Sequence, residues 1–178
     1  MRPILARQAN QLVGRLPDAQ GVFSFYGFPG SRTSNMQELS QAPFNCVFQS
    51  NSWGFADTPN YTSVSAEMDQ IVFNQDILVL HSSGNSGTQS GVEHAWAKNV
   101  VAVGGVLHFN STNPASHIWG GSGSIGPMTD GRIKPDLCHF WDSIRTTSSS
   151  GGYTSSFGGA SAACPIVAGH FGLFYEMW

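Results

Sequence analysis

Short apolar runs alternate along the chain with segments whose apolar positions recur at helical spacing. Residues 77–80 and 99–109 are continuous apolar runs, and each fits a strand that is buried on both faces of a parallel sheet. Residues 63–75 instead carry an apolar stripe, made of Val64, Met68, Ile71 and Val72. This spacing is typical of an amphipathic helix. The alternation predicts an α/β domain with a mainly parallel sheet and helices on both faces.

The remaining segments predict further elements around this sheet. Two helices are predicted over residues 4–14, ending at Gly14, and 33–42, with Ser34 as the N-cap. Short β-rich runs occupy residues 21–28 and 45–54, and a last helix follows Ser161. Residues 110–156 are rich in Gly and Ser and predict loops inside one domain.

Composition narrows the class of protein. The 178 residues are 40% hydrophobic and 11% charged, with a net charge of −3, so the chain is globular and has no basic patch for nucleic acid. No run approaches the ~18 apolar residues of a membrane span, and residues 1–3 lead into no long apolar segment of a signal peptide. The cysteines are Cys46, Cys138 and Cys164; their spacing fits no metal site and predicts buried free thiols.

Ser161 is the first candidate for chemistry. It follows Gly158, Gly159 and Ala160 and precedes Pro165, which we expect in the first turn of the last helix. A serine at a helix N-terminus lies where free N–H groups favour negative charge, as an acyl-transfer nucleophile requires. The alternative is a small N-cap serine without a catalytic role.

Asn85 is the second candidate. It lies between Gly84 and Ser86 in a loop that directly follows the apolar run 77–80. In such a position an asparagine is commonly a turn residue that accepts a left-handed backbone. Its side-chain amide could alternatively stabilise an oxyanion, an effect of about 3 kcal/mol on a transition state.

Five segments in order resemble one family of enzymes. They are NSWG (51–54), ILVLHSSGNSG (77–87), AKNVVAVGGV (97–106), TDGRIKPDL (129–137) and GGASAACPIVAG (158–169). Together they resemble the subtilisin-like serine proteases, the subtilases, and most closely their bacterial alkaline branch. The resemblance covers residues 45–178 and implies a partial subtilase catalytic domain over residues 1–178, incomplete at both ends.

The resemblance implies a role for each matching residue. Ser161 resembles the nucleophile, and Asn85 and the main-chain N–H of Ser161 resemble the oxyanion donors. One wall of the cleft, where substrate adds as an extended strand, matches Ser52, Trp53 and Gly54. The wall of the pocket for the residue before the scissile bond matches Ser82, Ser83 and Gly84. Lys134, Pro135 and Asp136 match a structural turn.

The family also implies wider properties of the protein. Its activity would be that of an endopeptidase acting through an acyl-enzyme, on peptide or protein substrates, with no nucleic-acid or membrane partner. No cofactor would be required; structural calcium is common in the family, but the sequence identifies no ligand cluster. The location implied is extracellular.

The Asp and His motifs of the family do not occur in these 178 residues. Serine needs a histidine base that is oriented by a carboxylate, so we expect both from upstream sequence and negligible activity from this chain alone. Within the chain His81 is the best substitute base, because it ends a predicted strand beside the loop of Asn85. His170 follows Ser161 on the same predicted helix and lies too far along its axis for a hydrogen bond. Two alternatives remain: a peptide-binding relic without catalysis, and an unrelated α/β hydrolase, which lacks its Gly-x-Ser-x-Gly elbow here.

Overall fold

The computed structural model describes residues 31–54 and 57–177, together with the backbone of strands β1 (Ile4–Arg7) and β2 (Gly21–Ser24). The helices are α1 (Arg32–Ser40), α2 (Ser63–Gln75) and α3 (Ala160–Met177). The other strands are β3 (Phe48–Asn51), β4 (Asp57–Thr58), β5 (Leu78–Ser82), β6 (Gly91–Val92), β7 (Val101–Val106), β8 (Leu137–Phe140), β9 (Ile144–Thr147) and β10 (Tyr153–Phe157).

Six strands form one sheet in the order β2-β1-β3-β5-β7-β8, and every pair in it is parallel. Two small antiparallel ladders, β4–β6 and β9–β10, lie outside this sheet. The predicted α/β domain with a mainly parallel sheet is confirmed. Because parallel strands all end at one edge, the loops after β3 and β5 emerge side by side.

Helices cover both faces of the sheet, as predicted. Val79 and Leu80 are both fully buried but belong to different cores, because successive residues of a strand point to opposite faces. Val79 packs in a cluster with residues of α1 and α2, whereas Leu80 packs against α3. The apolar run 77–80 is therefore continuous because both of its faces are covered.

The predicted helix over residues 63–75 is confirmed, and Thr62 caps it with a capping box to Ser65. The predicted N-cap of the preceding helix was wrong. Ser31 is the N-cap of α1, and its hydroxyl accepts a hydrogen bond from the N–H of Ser34 at 3.1 Å. Ser34 instead lies inside the first turn, where its hydroxyl donates to the Ser31 carbonyl.

Two other predictions need correction. The segment 4–14 was predicted as a helix, but its first part is strand β1, paired with β2 and β3; the rest lies outside the described residues. The segment 110–156 was predicted as loops, yet it contains β8, β9 and part of β10. Serine and threonine in β9 and β10 hid these strands, because their exposed positions gave no apolar run.

Pro165 lies in the interior of α3, six residues into the helix, and not in its first turn as predicted. A proline there cannot donate to the carbonyl four residues earlier, which belongs to Ser161. The hydroxyl of Ser52 donates to this carbonyl instead, at 3.0 Å. The helix therefore tolerates Pro165 because another segment satisfies the acceptor that the proline leaves open.

Candidate functional site

The carboxyl ends of β3 and β5 bring two candidate segments together. Asn51 pairs with His81 at the last step of the parallel ladder between these strands. The segments 52–54 and 82–85 continue from there at the same edge of the sheet. This placement agrees with the rule that sites of parallel sheets lie outside the strand ends.

Ser161 is the second residue of α3 and is partly buried. Its hydroxyl donates to the carbonyl of Ser52 in a long contact of 3.4 Å. Together with the bond from Ser52 Oγ to the Ser161 carbonyl, this makes a reciprocal pair between the strand end and the helix start. The main-chain N–H of Ser161 lies in the first turn, where N–H groups have no acceptor within the helix.

Asn85 reaches the start of α3 across 75 residues of sequence. Its Oδ1 accepts a hydrogen bond from the N–H of Ala160 at 2.9 Å. This bond occupies the oxygen end of the amide and leaves the Nδ2 amino group as the donor. Gly159 adopts φ +87°, and a Cβ at this position would lie only 3.2 Å from Asn85 Nδ2. The geometry thus places a neutral hydrogen-bond donor next to the N-terminal turn that carries Ser161.

The segment 82–84 is held rigidly by main-chain bonds. Ser83 donates from its N–H to the Val103 carbonyl at 2.9 Å and accepts from the Val92 N–H at 3.0 Å. Ser82 and Ser83 are buried, and the Oγ of Ser83 has no hydrogen-bond partner within the described part of the chain. Gly84 adopts φ +110°, a region that favours glycine. This rigidity suits the wall of a binding pocket.

Val92 lies between the two segments predicted as cleft walls, and the sequence analysis did not single it out. A Cβ on Gly54 would lie 2.4 Å from its Cγ1, and a Cβ on Gly84 would lie 3.4 Å from its Cγ2. The isopropyl group therefore fills the space between the two segments predicted as cleft walls. No pattern marks this residue, because β6 is only two residues long.

Trp53 lies with its indole against two buried histidines, behind the segment 52–54. Its Nε1 donates to Asn51 Oδ1 at 3.0 Å, and its ring contacts His81 and His94 edge-on, with centroids 5.3 and 4.7 Å apart. The two imidazoles are stacked, with centroids 5.3 Å apart and planes 9° from parallel. The side chain of Trp53 thus supports the segment from behind.

Burial of these imidazoles disfavours their charged forms. Desolvation lowers the pKa of His81 to about 4, and that of His94 to about 3 with further contributions from His81 and Arg32. His81 Nε2 and both ring nitrogens of His94 have no hydrogen-bond partner among residues 31–54 and 57–177. Both rings are therefore neutral at pH 7.

No histidine of the described segments donates to or accepts from the Ser161 hydroxyl, whose bond goes to Ser52. His81 is fully buried, and its Nδ1 bonds to the Ser82 carbonyl at 3.0 Å. His170 is exposed and bonds to the Ile166 carbonyl of its own helix at 2.8 Å. The structure therefore does not bring either histidine to Ser161 as a base.

Other features of the described residues bear on cofactors and membranes. Within them, no group of three or more His, Cys, Asp or Glu side chains is arranged to hold a metal ion. No α-helix in the same part of the chain has the length and apolarity to cross a bilayer. The three cysteines are free thiols; Cys46 and Cys164 are buried as expected, but Cys138 is exposed. Cys138 lies on β8, one of the two edge strands of the six-stranded sheet.

Comparisons with known proteins agree with this fold. The model of the subtilase family matches residues 4–177. No curated protein sequence matches the chain. Solved structures share its fold. The prenylagaramide maturation protease PagA has a TM-score of 0.66 and 16% sequence identity, and the match covers 98% of this chain and 68% of PagA. The patellamide maturation protease PatA has a TM-score of 0.65 and 17% identity, covering 88% of this chain and 56% of PatA, and sphericase has a TM-score of 0.63 and 18% identity, covering 88% of this chain and 54% of sphericase. The chain thus spans between about half and two-thirds of their lengths.

Proposed function

Because the chain belongs to the subtilase family, we propose that it is part of a serine endopeptidase in which Ser161 is the nucleophile and Asn85 the oxyanion donor. One observation carries the assignment: the N–H of Ala160 donates to Asn85 Oδ1 at 2.9 Å. This bond ties the amide to the residue next to Ser161. It supports a site in which nucleophile and donor face the same carbonyl group.

The reaction would proceed through an acyl-enzyme. Ser161 Oγ attacks the carbonyl carbon of the scissile peptide while its proton passes to a histidine base. The Nδ2 group of Asn85 and the N–H of Ser161 stabilise the negative oxygen of the tetrahedral intermediate. The C–N bond then breaks, the amine leaves with the proton, and water hydrolyses the ester.

We propose that the histidine and its orienting carboxylate come from sequence outside these 178 residues. Two observations support this: the Ser161 hydroxyl bonds to the Ser52 carbonyl and to no histidine of the described segments, and the chain spans only 54–68% of the solved relatives named above. On its own the chain would then have negligible peptidase activity. Substrate would bind as an extended strand along segment 52–54, with the side chain before the scissile bond against segment 82–84.

The wider properties implied by the family remain proposals of the same kind. No cofactor would be required for the acyl transfer, and structural calcium would serve stability alone. Subtilases are often secreted, which supports an extracellular location.

Labelling with a fluorophosphonate tests the assignment. The probe forms a covalent bond only with a serine whose proton is removed by a working base. We expect the protein that contains this chain with its native flanking sequence to be labelled, and the labelled peptide to contain Ser161. Labelling at another serine would contradict the assignment.

A peptide-binding protein without catalysis is the second candidate. The observation in its favour is that no described histidine contacts Ser161. A folded full-length protein that binds peptides but resists the fluorophosphonate would establish this alternative.

Asn85→Ala should lower kcat by about 10²–10³ with little change in KM, because the lost donor acts mainly on the oxyanion of the transition state. Steady-state kinetics on a peptide substrate would measure both values. Asn74→Ala is the matched control, because Asn74 is exposed on α2 and its side chain accepts a hydrogen bond from Gln70 of the same helix. An equal fall in both variants would show a general loss of folded protein rather than a role in catalysis.

Val92→Ala should shift preference toward larger side chains before the scissile bond. Val92 closes the space between Gly54 and Gly84, so the intact pocket should favour small residues such as alanine. Removing two methyl groups should raise the ratio of kcat/KM for phenylalanine over alanine substrates about tenfold or more.

Val101→Ala is the control for this change. It removes the same two methyl groups from the core that packs against α3, where no substrate binds. It should cost stability without changing the ratio. An unchanged ratio in Val92→Ala would place the pocket elsewhere.

A further inference from the structure

The loop that carries Asn85 needs an external anchor. Asn85 is exposed, and the loop bends through Gly84 at φ +110° and Gly87 at φ +66°. Glycines allow such bends but do not hold them, because their backbone is the least restricted of all residues. The bond from Ala160 fixes the tip of the amide. It does not fix the main chain from which the amide projects.

Ser124 contacts the main chain on both sides of Asn85. Its N–H donates to the Gly84 carbonyl at 3.1 Å, and its Oγ accepts from the N–H of Ser86 at 3.2 Å. One residue thus holds the peptide group before Asn85 and the peptide group after it. Ser124 is only 1% exposed, so water does not compete for these bonds.

The hydrogen bond between the hydroxyls of Ser86 and Ser124 has one direction. Ser86 Oγ donates to the Ser90 carbonyl at 2.6 Å and lies 2.9 Å from Ser124 Oγ. Since its single proton is used toward Ser90, it accepts the proton of Ser124. Ser124 Oγ is therefore both donor and acceptor toward Ser86, and alanine at position 124 would lose both bonds.

The surrounding chain is shaped to this serine. A Cβ on Gly84 would lie 2.8 Å from Ser124 Oγ, and a Cβ on Gly91 would lie 2.9 Å from Ser124 Cβ. Side chains at either glycine would push Ser124 away from the loop. The two glycines therefore leave room for Ser124 to approach the loop, and its hydroxyl contacts Ser86 next to Asn85.

We propose that Ser124 is a positioning residue for the oxyanion donor: it fixes the main chain around Asn85 so that Nδ2 points to where the oxyanion develops. This inference rests on the proposed role of Asn85. Oxyanion donors act at 2.7–3.1 Å from the developing charge, and a misplacement of about 1 Å can cost about 10²-fold in rate. Because Ser124 is buried, its effect should fall on kcat and not on KM.

A double-mutant cycle tests this in the protein with its native flanking sequence. We expect Ser124→Ala to lower kcat about tenfold, with KM changed less than about twofold. In an Asn85→Ala background the same change should lower kcat less than about twofold, because no donor remains to be positioned. Ser122→Ala, an exposed serine of the same segment, should leave kcat unchanged.

Equal losses of kcat in both backgrounds, or no loss in the presence of Asn85, would overturn the proposal. Failure of the proposed function gives a different result, because Asn85→Ala alone would then leave kcat unchanged.

If Ser124→Ala does not fold, Ser86→Ala replaces it. This variant removes the bond between the two hydroxyls and keeps the bonds from Ser124 to the Gly84 carbonyl and to the N–H of residue 86. It should lower kcat about threefold, again only when Asn85 is present; equal losses in both backgrounds would overturn the proposal in that case too.

Discussion

Ser161→Ala is expected to lower kcat by about a millionfold, to the level left by substrate binding and oxyanion stabilisation alone. The change deletes the atom that is proposed to form the acyl-enzyme, and the neighbouring Ser52 is not placed to replace it. Ser52, which exchanges hydrogen bonds with Ser161, offers only a carbonyl and a hydroxyl already donated to the helix. KM should change little, because the walls of the cleft are untouched.

The measurement is peptide hydrolysis by the protein with its native flanking sequence, normalised to the fraction that is folded. Ser155→Ala, an exposed serine on β10, is the control and should keep full activity. Turnover by Ser161→Ala within a factor of about ten of the unmodified protein would exclude Ser161 as the nucleophile, because loss of a catalytic nucleophile costs orders of magnitude more.

Acid should destabilise the folded protein as the pH falls below about 6.5, the pKa of histidine in an unfolded chain. In the folded protein burial lowers the pKa of His81 to about 4 and that of His94 to about 3. The unfolded chain therefore binds more protons in this range, and the free energy of unfolding decreases as pH falls. The loss amounts to about 3 kcal/mol for each ring at pH 4, a large part of the 5–15 kcal/mol that is typical of proteins.

Urea unfolding at several values between pH 7 and pH 4.5 would measure this decrease. The range lies above the pKa of ordinary carboxyl groups, so their protonation contributes little. His94→Leu should reduce the dependence by about half, because His81 keeps its own lowered pKa. At pH 7 the change should be neutral or stabilising, because it removes two buried nitrogens that have no partner among the described residues. His170→Leu, which removes an exposed ring, should keep the full dependence. A flat profile in the unmodified protein would contradict the prediction.

The elements with strong periodicity could be predicted from the sequence. The segment 63–75 forms a helix with the predicted bounds. The apolar run 77–80 overlaps the first part of β5, and the run 99–109 contains β7. In these segments the apolar pattern and the burial agree. The pattern failed in residues 4–14, where tertiary pairing made Ile4–Arg7 a strand beside β3, and in β9 and β10, whose residues are mostly half-exposed or exposed.

The candidate site divides in the same way. Ser161 and Asn85 could be predicted as site residues because their neighbours form ordered motifs along the chain, and these roles stay predictions. Val92 and Ser124 carry no such motif, because their proposed roles come from contacts with other segments: Gly54 and Gly84 for Val92, and the main chain of Gly84 and Ser86 for Ser124. A contact between a side chain and a distant glycine leaves no periodic signal. Such residues can be recognised only when the folded main chain is known.

The hydrogen bond from Ser52 to the Ser161 carbonyl couples the local unfolding of two segments. Pro165 removes one internal hydrogen bond of α3, and the hydroxyl of Ser52 in the adjoining segment 52–54 replaces it. The start of the helix and this segment therefore share a hydrogen bond that is lost when either of them unfolds. Local unfolding of one should accompany local unfolding of the other, so that the proposed nucleophile and the surface beside it are exposed, or protected, as a single cooperative unit.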